Sequence, residues 1–316
     1  MKYNESMKKA ILCIILLYIS IFLSGYSPAA MPNPYEHLNI PSYITKVGKE
    51  YFIVDSYNNQ VIFHTNLGAP LHSWSVMTSD VNQPHTIASD GVVYLIDDTE
   101  NHRILVMERQ VNGQGQTLFI PTQEFNEIGV RPHYIIYDEK SAIFYAWSSY
   151  TGEMFLFRRE PDNTVVLSEV RAVPSLMGVY VRSFTIIGDE IYFLSCHGLI
   201  LKANLKTFRI MKEYPVPEHM AGMIQMTKIE DYYYITVSTD LVGSQDFATI
   251  IRTNDFNSLA DGIYEDIYSH FIGGGTPYNM TQIEGRWYLT EQRIPGRHIW
   301  SFSIADNMIE DVKWIY

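Results

Sequence analysis

Cysteine is nearly missing from this sequence: two occur in 316 residues, Cys13 and Cys196. Cys13 falls in an N-terminal apolar run, so the rest of the chain holds one thiol and cannot form an internal disulfide. A stapled scaffold is excluded, and the fold must stand on packing alone. Charge is sparse at 18% and one-sided, with 35 acidic and 23 basic residues for a net charge of -12. Without residues 1–30 the count is 34 against 20. Such a surface repels phosphate backbones and argues against a nucleic-acid partner. Long apolar runs are lacking too: Ala10 to Leu23 is uncharged for 14 residues, short of the roughly 20 that a spanning helix needs. No nucleophile elbow, Walker loop or zinc-protease helix motif is found.

What is present is apolar and aromatic. Hydrophobic residues make up 47% of the chain, with 23 Tyr, 15 Phe and 5 Trp. That composition excludes disorder and coiled coil and suits pleated, half-buried strands. The length is about two domains' worth, although an all-β barrel or propeller of this size often forms one unit.

The first thirty residues read as an address. Lys2, Lys8 and Lys9 precede the apolar run, and small residues follow it, the layout of a secretory signal. Ser27 and Ala29 fit the −3 and −1 positions, which places cleavage after Ala29 and the mature chain at 30–316. Leu23-Ser24-Gly25-Tyr26 resembles a lipobox with tyrosine where the lipidated cysteine belongs, so no lipid is expected there. An uncleaved N-terminal anchor is the alternative. The expected location is secreted or cell-surface, as a monomer with no membrane span after cleavage.

Beyond the leader the chain repeats itself six times. The segments start near Ile40, Gln83, Arg131, Val181, Met223 and Pro277. Their anchors Pro41, Pro84, Pro132, Arg182, Ile224 and Tyr278 are 43, 48, 50, 42 and 54 residues apart. Ten residues after the anchor stands Tyr51, Tyr94, Tyr192, Tyr234 or Tyr288, with Phe144 aligned in the third copy. A polar turn separates the first two strands each time, as in Gly48-Lys49 and Asp90-Gly91, residues that tolerate positive φ. Further strand-like runs follow, including TLFIP near Leu118 and TVVLSEV near Val165. Four strands in about 42–54 residues is the size of one propeller blade. The expected fold is an all-β, six-bladed propeller with four antiparallel strands per blade. A ring of five or seven blades is the runner-up. The ring is expected to close without a swapped strand, blade six ending in its own strand at 311–316. Alternatively Pro32 to Leu38 adds a strand to blade six.

Tyr51 to Ile62, with Asp55 and Tyr57-Asn58-Asn59 before an apolar strand, resembles the NHL-repeat signature, and Tyr94 to Leu105, with Asp98 and Asn101-His102-Arg103, is similar to a second copy. The likeness fades in the later blades, where Ser148, Cys196, Ser238 and Glu291 or Gln292 stand near the place of that Asp. An NHL-like propeller is what the resemblance implies.

In such a ring the residue after each anchor is expected at the mouth of the central channel, where ligands bind. Those residues are Ser42, His85, His133, Ser183, Gln225 and Asn279, with Arg131 and Arg182 beside them to meet an anion. An outer circle would hold Asp55, Asp98, His102, His197, Asp240, Glu291 and Arg293. Gly273-Gly274-Gly275 reads as a pliable rim. Two histidines on adjacent blades permit a divalent metal site. Some NHL-type lyases place three histidines around the channel, but Ser183 or Gln225 occupies the third place here. The other reading is a hydrated, hydrogen-bonded polar channel with no cofactor. Cys196 beside His197 reads as a buried structural thiol.

Three functions remain open. The first is an exported binding module for a small molecule, peptide or glycan. The second is a metal-dependent lyase or hydrolase using His85 and His133, with Asp98 or Glu291 as base. The third is a protein-interaction scaffold.

Overall fold

The computed structural model describes residues 30–271, 275–292 and 296–316. The leader, Gly273, Gly274 and Arg293 lie outside the described residues. Six antiparallel sheets follow one another along the chain. Blade 1 holds Pro41–Val47, Glu50–Asp55, Gln60–His64 and Ser75–Thr78. Blade 2 holds Ile87–Ser89, Val93–Asp98, Arg103–Val111 and Thr117–Phe125. Blade 3 is Pro132–Asp138, Ile143–Ser148, Glu153–Arg159 and Val165–Ala172. Blade 4 is Val181–Ile187, Glu190–Ser195, Leu199–Asn204 and Ile210–Pro215. Blade 5 comprises Gly222–Ile229, Tyr232–Thr239, Thr249–Thr253 and the short Glu265–Asp266. Blade 6 comprises Thr276–Ile283, Arg286–Gln292, Ile299–Ala305 and Met308–Trp314. The protein is thus a six-bladed propeller with four antiparallel strands to a blade.

Each sheet alternates its side chains between two faces, and both faces must be covered by a neighbour. The hydrophobic core accordingly breaks into six clusters, one per junction. Phe52 and Val54 of blade 1 pack on Tyr94 and Ile96 of blade 2. Leu95 meets Phe144 and Ala146, and Tyr145 and Trp147 meet Ile191 and Phe193. Tyr192 and Leu194 meet Ile235 and Val237, and Tyr234 meets Leu289. Tyr288 then returns to Ile53 and closes the circle. Burying one such side chain is worth roughly 1.5–3 kcal/mol.

These clusters correct the tyrosine register read from the sequence. Tyr51, Tyr94 and Phe144 face the preceding blade, whereas Tyr192, Tyr234 and Tyr288 face the following one. The side-chain period of a strand is two, so a one-residue slip in alignment exchanges the faces. The structural counterparts of Tyr51 in the last three blades are Ile191, Tyr233 and Trp287. With that slip removed, Pro277 falls in line with Pro41, Pro84 and Pro132.

Ladder hydrogen bonding is spent within each sheet, so the junctions are sewn mainly by side chains, with the Val181 N–H to Ser149 carbonyl bond at 3.0 Å a backbone link between blades 3 and 4. Ser42 Oγ donates to the His85 carbonyl at 2.8 Å, and Thr99 Oγ1 to the Pro132 carbonyl at 2.8 Å. Trp147 Nε1 donates to the Val181 carbonyl at 3.2 Å, and Ser183 Oγ to the Ile224 carbonyl at 2.5 Å. Thr236 Oγ1 donates to the Tyr278 carbonyl at 2.8 Å, and Thr290 Oγ1 to the Ser42 carbonyl at 3.1 Å. Every junction therefore carries at least one such bond near the hub.

The ring closes with blade 6 supplying its own outer strand. Met31–Pro32 adds a fifth strand to blade 1, pairing with Ser75 and Val76. The C-terminus finishes the seam: the Tyr316 hydroxyl donates to the Ala69 carbonyl at 2.5 Å and accepts from Trp74 Nε1 at 3.0 Å.

Candidate functional site

The first strand of a blade begins at one mouth of the central channel. In five of the six blades that start is irregular, with a register shift between Pro41 and Tyr43, Pro132 and Tyr134, Val181 and Phe184, Met223 and Gln225, or Pro277 and Asn279. A bulge re-aims side chains, and here it turns them toward the axis. Blade 2 instead uses Asp97. Its Oδ1 accepts from the His85 and Thr86 backbone N–H groups at 2.6 and 2.9 Å, and its Oδ2 contacts Thr86 Oγ1 at 2.5 Å. Burial is the main cause that pushes the Asp97 carboxyl up to about 8.

The corrected register resolves the hub into tiers. Outermost are Ile40, Gln83, Arg131, Tyr180 and Thr276, two residues before the next tier along each strand. Below them come His85, His133, Arg182, Ile224 and Tyr278, while Ser42, at the same register in blade 1, is turned into the junction with blade 2. Deeper still are Thr86, Tyr134, Ser183, Gln225 and Asn279. The polar residues expected at one level thus occupy two, because the alignment slips by one residue after the third blade.

A cavity of about 220 Å³ opens at this mouth. Of the sequence-derived residues, His85, His133, Arg131 and Arg182 line it, whereas Ser42, Ser183, Gln225 and Asn279 do not. Ser42 and Ser183 are turned into inter-blade bonds, and Gln225 exchanges two bonds with the Met280 backbone of blade 6. Asn279 lies deeper, its side-chain oxygen buried without a partner. Tyr57, Tyr180, Ser238, Gln245 and Tyr278 also line the cavity. They escaped the sequence reading, although the residues flanking Arg182 and Tyr278 become legible once the slip is removed.

Three consecutive blades aim their mouth residue through a left-handed backbone. Ile40, Gln83 and Arg131 have φ of 56°, 49° and 58°, and each precedes a proline, which disfavours helical conformations. A branched residue such as isoleucine is strained at that φ. Strain of this kind gathers where side-chain direction matters.

The two histidines stack with centroids 3.8 Å apart at 28°. His85 Nδ1 lies 2.9 Å from Thr99 Oγ1, and that hydroxyl donates onward to Pro132. The threonine proton is therefore committed to a carbonyl, and the pair is no activated nucleophile. Burial, helped by the nearby Arg131 charge, pulls His85 down to about 3. Burial and the neighbouring cations hold His133 far below its ordinary value. Both rings are neutral at physiological pH.

Arg131 pairs with Glu100 at 2.9 Å, while its Nε is buried without a partner. Arg182 contacts only neutral groups among the described residues: Ser238 Oγ at 2.6 Å, the Gly222 carbonyl at 3.4 Å and the face of Tyr180 at 5.3 Å. Among the described residues no Asp or Glu lines the cavity. Two guanidinium groups and two stacked rings make a poor home for a cation, and no group of three or more His, Cys, Asp or Glu suited to a metal is gathered among the described residues.

The outer circle stands apart from this cavity. Asp55 ties its loop through Asn39 N, Asn58 and Gln60 at 2.7, 2.7 and 3.2 Å, and burial pushes it up to about 6. Asp98 accepts from Asn82 N and Arg103 Nε, each at 2.6 Å. His102 accepts the Arg131 backbone N–H at 3.1 Å. Asp240 caps its own turn through Ser244 N at 2.8 Å. Glu291 is buried against Tyr268 and Trp300, with Trp300 Nε1 at 2.8 Å, and burial pushes it up to about 7. His197 is exposed, and Cys196 is half-buried in the same turn, not on a strand; burial pushes its thiol up.

No family model matches the chain, and no curated protein matches it. Solved structures do. A Bacteroides uniformis protein provisionally assigned as a 6-phosphogluconolactonase aligns at 14% identity over 92% of this chain and 88% of its own, with a TM-score of 0.60. A streptogramin B lyase aligns at 13% over 91% and 87%, TM-score 0.56. Kuenenia stuttgartiensis hydrazine synthase aligns at 15% over 88% and 80%, TM-score 0.55. At these identities the likeness is one of propeller fold.

Proposed function

We propose that this chain is an exported, NHL-like binding module that holds a small ligand at the mouth of its central channel. One observation carries the reading: six blade ends converge on a polar cavity of about 220 Å³ that, among the described residues, holds no nucleophile–base pair. The neutral His85–His133 stack, the committed Thr99 hydroxyl and the strained Ile40, Gln83 and Arg131 all describe a pre-shaped receptor. The volume is below the roughly 300–1,000 Å³ of drug-sized pockets, so the ligand is small, or is the end of a longer peptide or glycan. The lyase and lactonase neighbours share the fold, and fold alone transfers no chemistry. Among the described residues no helix is long and apolar enough to cross a membrane.

A thermal-shift screen of small organic acids, dipeptides and mono- and disaccharides tests this. A true ligand raises Tm with concentration, and the rise disappears in Thr239→Trp, because Thr239 is a partly exposed residue of the cavity wall whose enlargement fills it. Stabilisers indifferent to that substitution, or none at all, would defeat the proposal.

A further inference from the structure

The charge in the mouth cavity is unbalanced. Arg131 has Glu100 beside it, but Arg182 has no acid partner among the described residues and is held by a serine, a carbonyl and a tyrosine ring. It sits in the second tier, deep in the channel, yet stays partly exposed to the cavity. Removing an ion from water without a counter-charge is costly unless something offsets it. Among the described residues the walls offer no counter-charge: the histidines beside it are neutral, and burial pushes the Tyr278 hydroxyl further from ionising. Thr276, which lines the same cavity, keeps its hydroxyl without a partner.

We propose that the occupant of this cavity is a small anion, a carboxylate or a tetrahedral oxyanion, whose charge is met by Arg182 together with Arg131 of the adjacent blade. The inference rests on the binding reading above and names the ligand class. A guanidinium presents a planar fork that matches such oxygens. The aromatic arc of His85, His133, Tyr180 and Tyr278 covers the remainder of a small organic acid. His85 and Tyr278 are stacked at 6.0 Å, and His133 and Tyr180 meet edge-on at 6.0 Å.

The test uses the full chain at constant ionic strength, with acetate, succinate and inorganic phosphate as probes and succinamide as the neutral control. At least one anion is expected to raise Tm at millimolar concentration while succinamide does not. Response to the carboxylates alone, or to phosphate alone, decides the anion's geometry. Arg182→Met is expected to weaken the apparent affinity at least tenfold while melting, without ligand, at or above the wild-type temperature. Ser238 keeps its 3.1 Å bond to the Gly222 carbonyl in that variant, and the uncompensated charge is gone. Arg182→Gln serves as a second probe should the Met variant not fold. Absence of any anion response, or a response equal in these variants, overturns the inference. A neutral sugar or dipeptide that stabilises through the Thr239-sensitive cavity, while all three anions fail, overturns it and leaves the binding reading standing.

Discussion

Asp97 is a carboxyl placed where no water reaches it, accepting two backbone N–H groups that would otherwise belong to a strand ladder. Its folded-state pKa of about 8 against 3.8 for the free acid means that the native state holds the proton more tightly than the unfolded chain. The sign follows from linkage: the ionisation penalty is absent below about 3.8, grows as pH rises, and is complete above about 8. Asp97→Asn keeps an oxygen for both N–H groups and cannot ionise. Melting curves between pH 5 and 9 should therefore show the variant gaining on the wild type as pH rises; a constant difference would refute the assignment. Asp97→Ala orphans both donors and should cost about 1–3 kcal/mol for each. The sequence singled out the neighbouring Asp98 instead, because Asp98 matches the NHL-like pattern. Nothing local to Asp97 reveals that it replaces a strand bond. That role appears only when the His85 turn is seen to lack its own ladder.

At the level of strands and blades, the recurrence, the four-strand count and the polar turns were all legible, because turn residues and period-two alternation are local signals. The face each strand shows was not. Tyr192, Tyr234 and Tyr288 mimic Tyr51 and Tyr94 in spacing, yet an adjacent aromatic or branched residue occupies the equivalent place. When neighbours such as Tyr233 and Tyr234 are both apolar enough to be buried, alternation no longer fixes the register. The same slip put Ser183, Gln225 and Asn279 level with His85. Hydrogen exchange separates the two registers directly. Tyr94→Ala should lower amide protection in blades 1 and 2, where Tyr94 packs on Phe52 at 5.4 Å. Tyr234→Ala should lower it in blades 5 and 6, whose shared cluster holds that ring. Loss in blades 4 and 5 from Tyr234→Ala would restore the sequence register and dismantle the tiers.

For the whole molecule the decisive joint is the one between the last blade and the first. Many rings are locked by sharing a strand across the closure, but here the strand added at the N-terminus joins blade 1 itself. The seam is held by Thr290 and Thr281 bonding to Ser42 and Ile44 carbonyls at 3.1 and 2.7 Å, by the cluster around Ile53 and Tyr288, and by Tyr316. That last residue is contributed after the final strand, and it reaches the Ala69 carbonyl and Trp74 at the far side of the joint. Its ring meets Trp74 edge-on at 6.0 Å. Tyr316→Ala removes the hydroxyl bonds and the ring contact together and should destabilise by roughly 2 kcal/mol, since half-buried aromatic truncation falls below the 3–5 kcal/mol of a full core site. Tyr316→Phe keeps the ring and should cost about 1 kcal/mol. If the seam is the weak joint, both variants lower the denaturation midpoint, and exchange accelerates first in blades 1 and 6. The cavity residues of blades 3 and 4 should keep their protection until global unfolding. Uniform acceleration around the ring would show instead that closure is no weaker than any other junction, and that the propeller opens only as a whole.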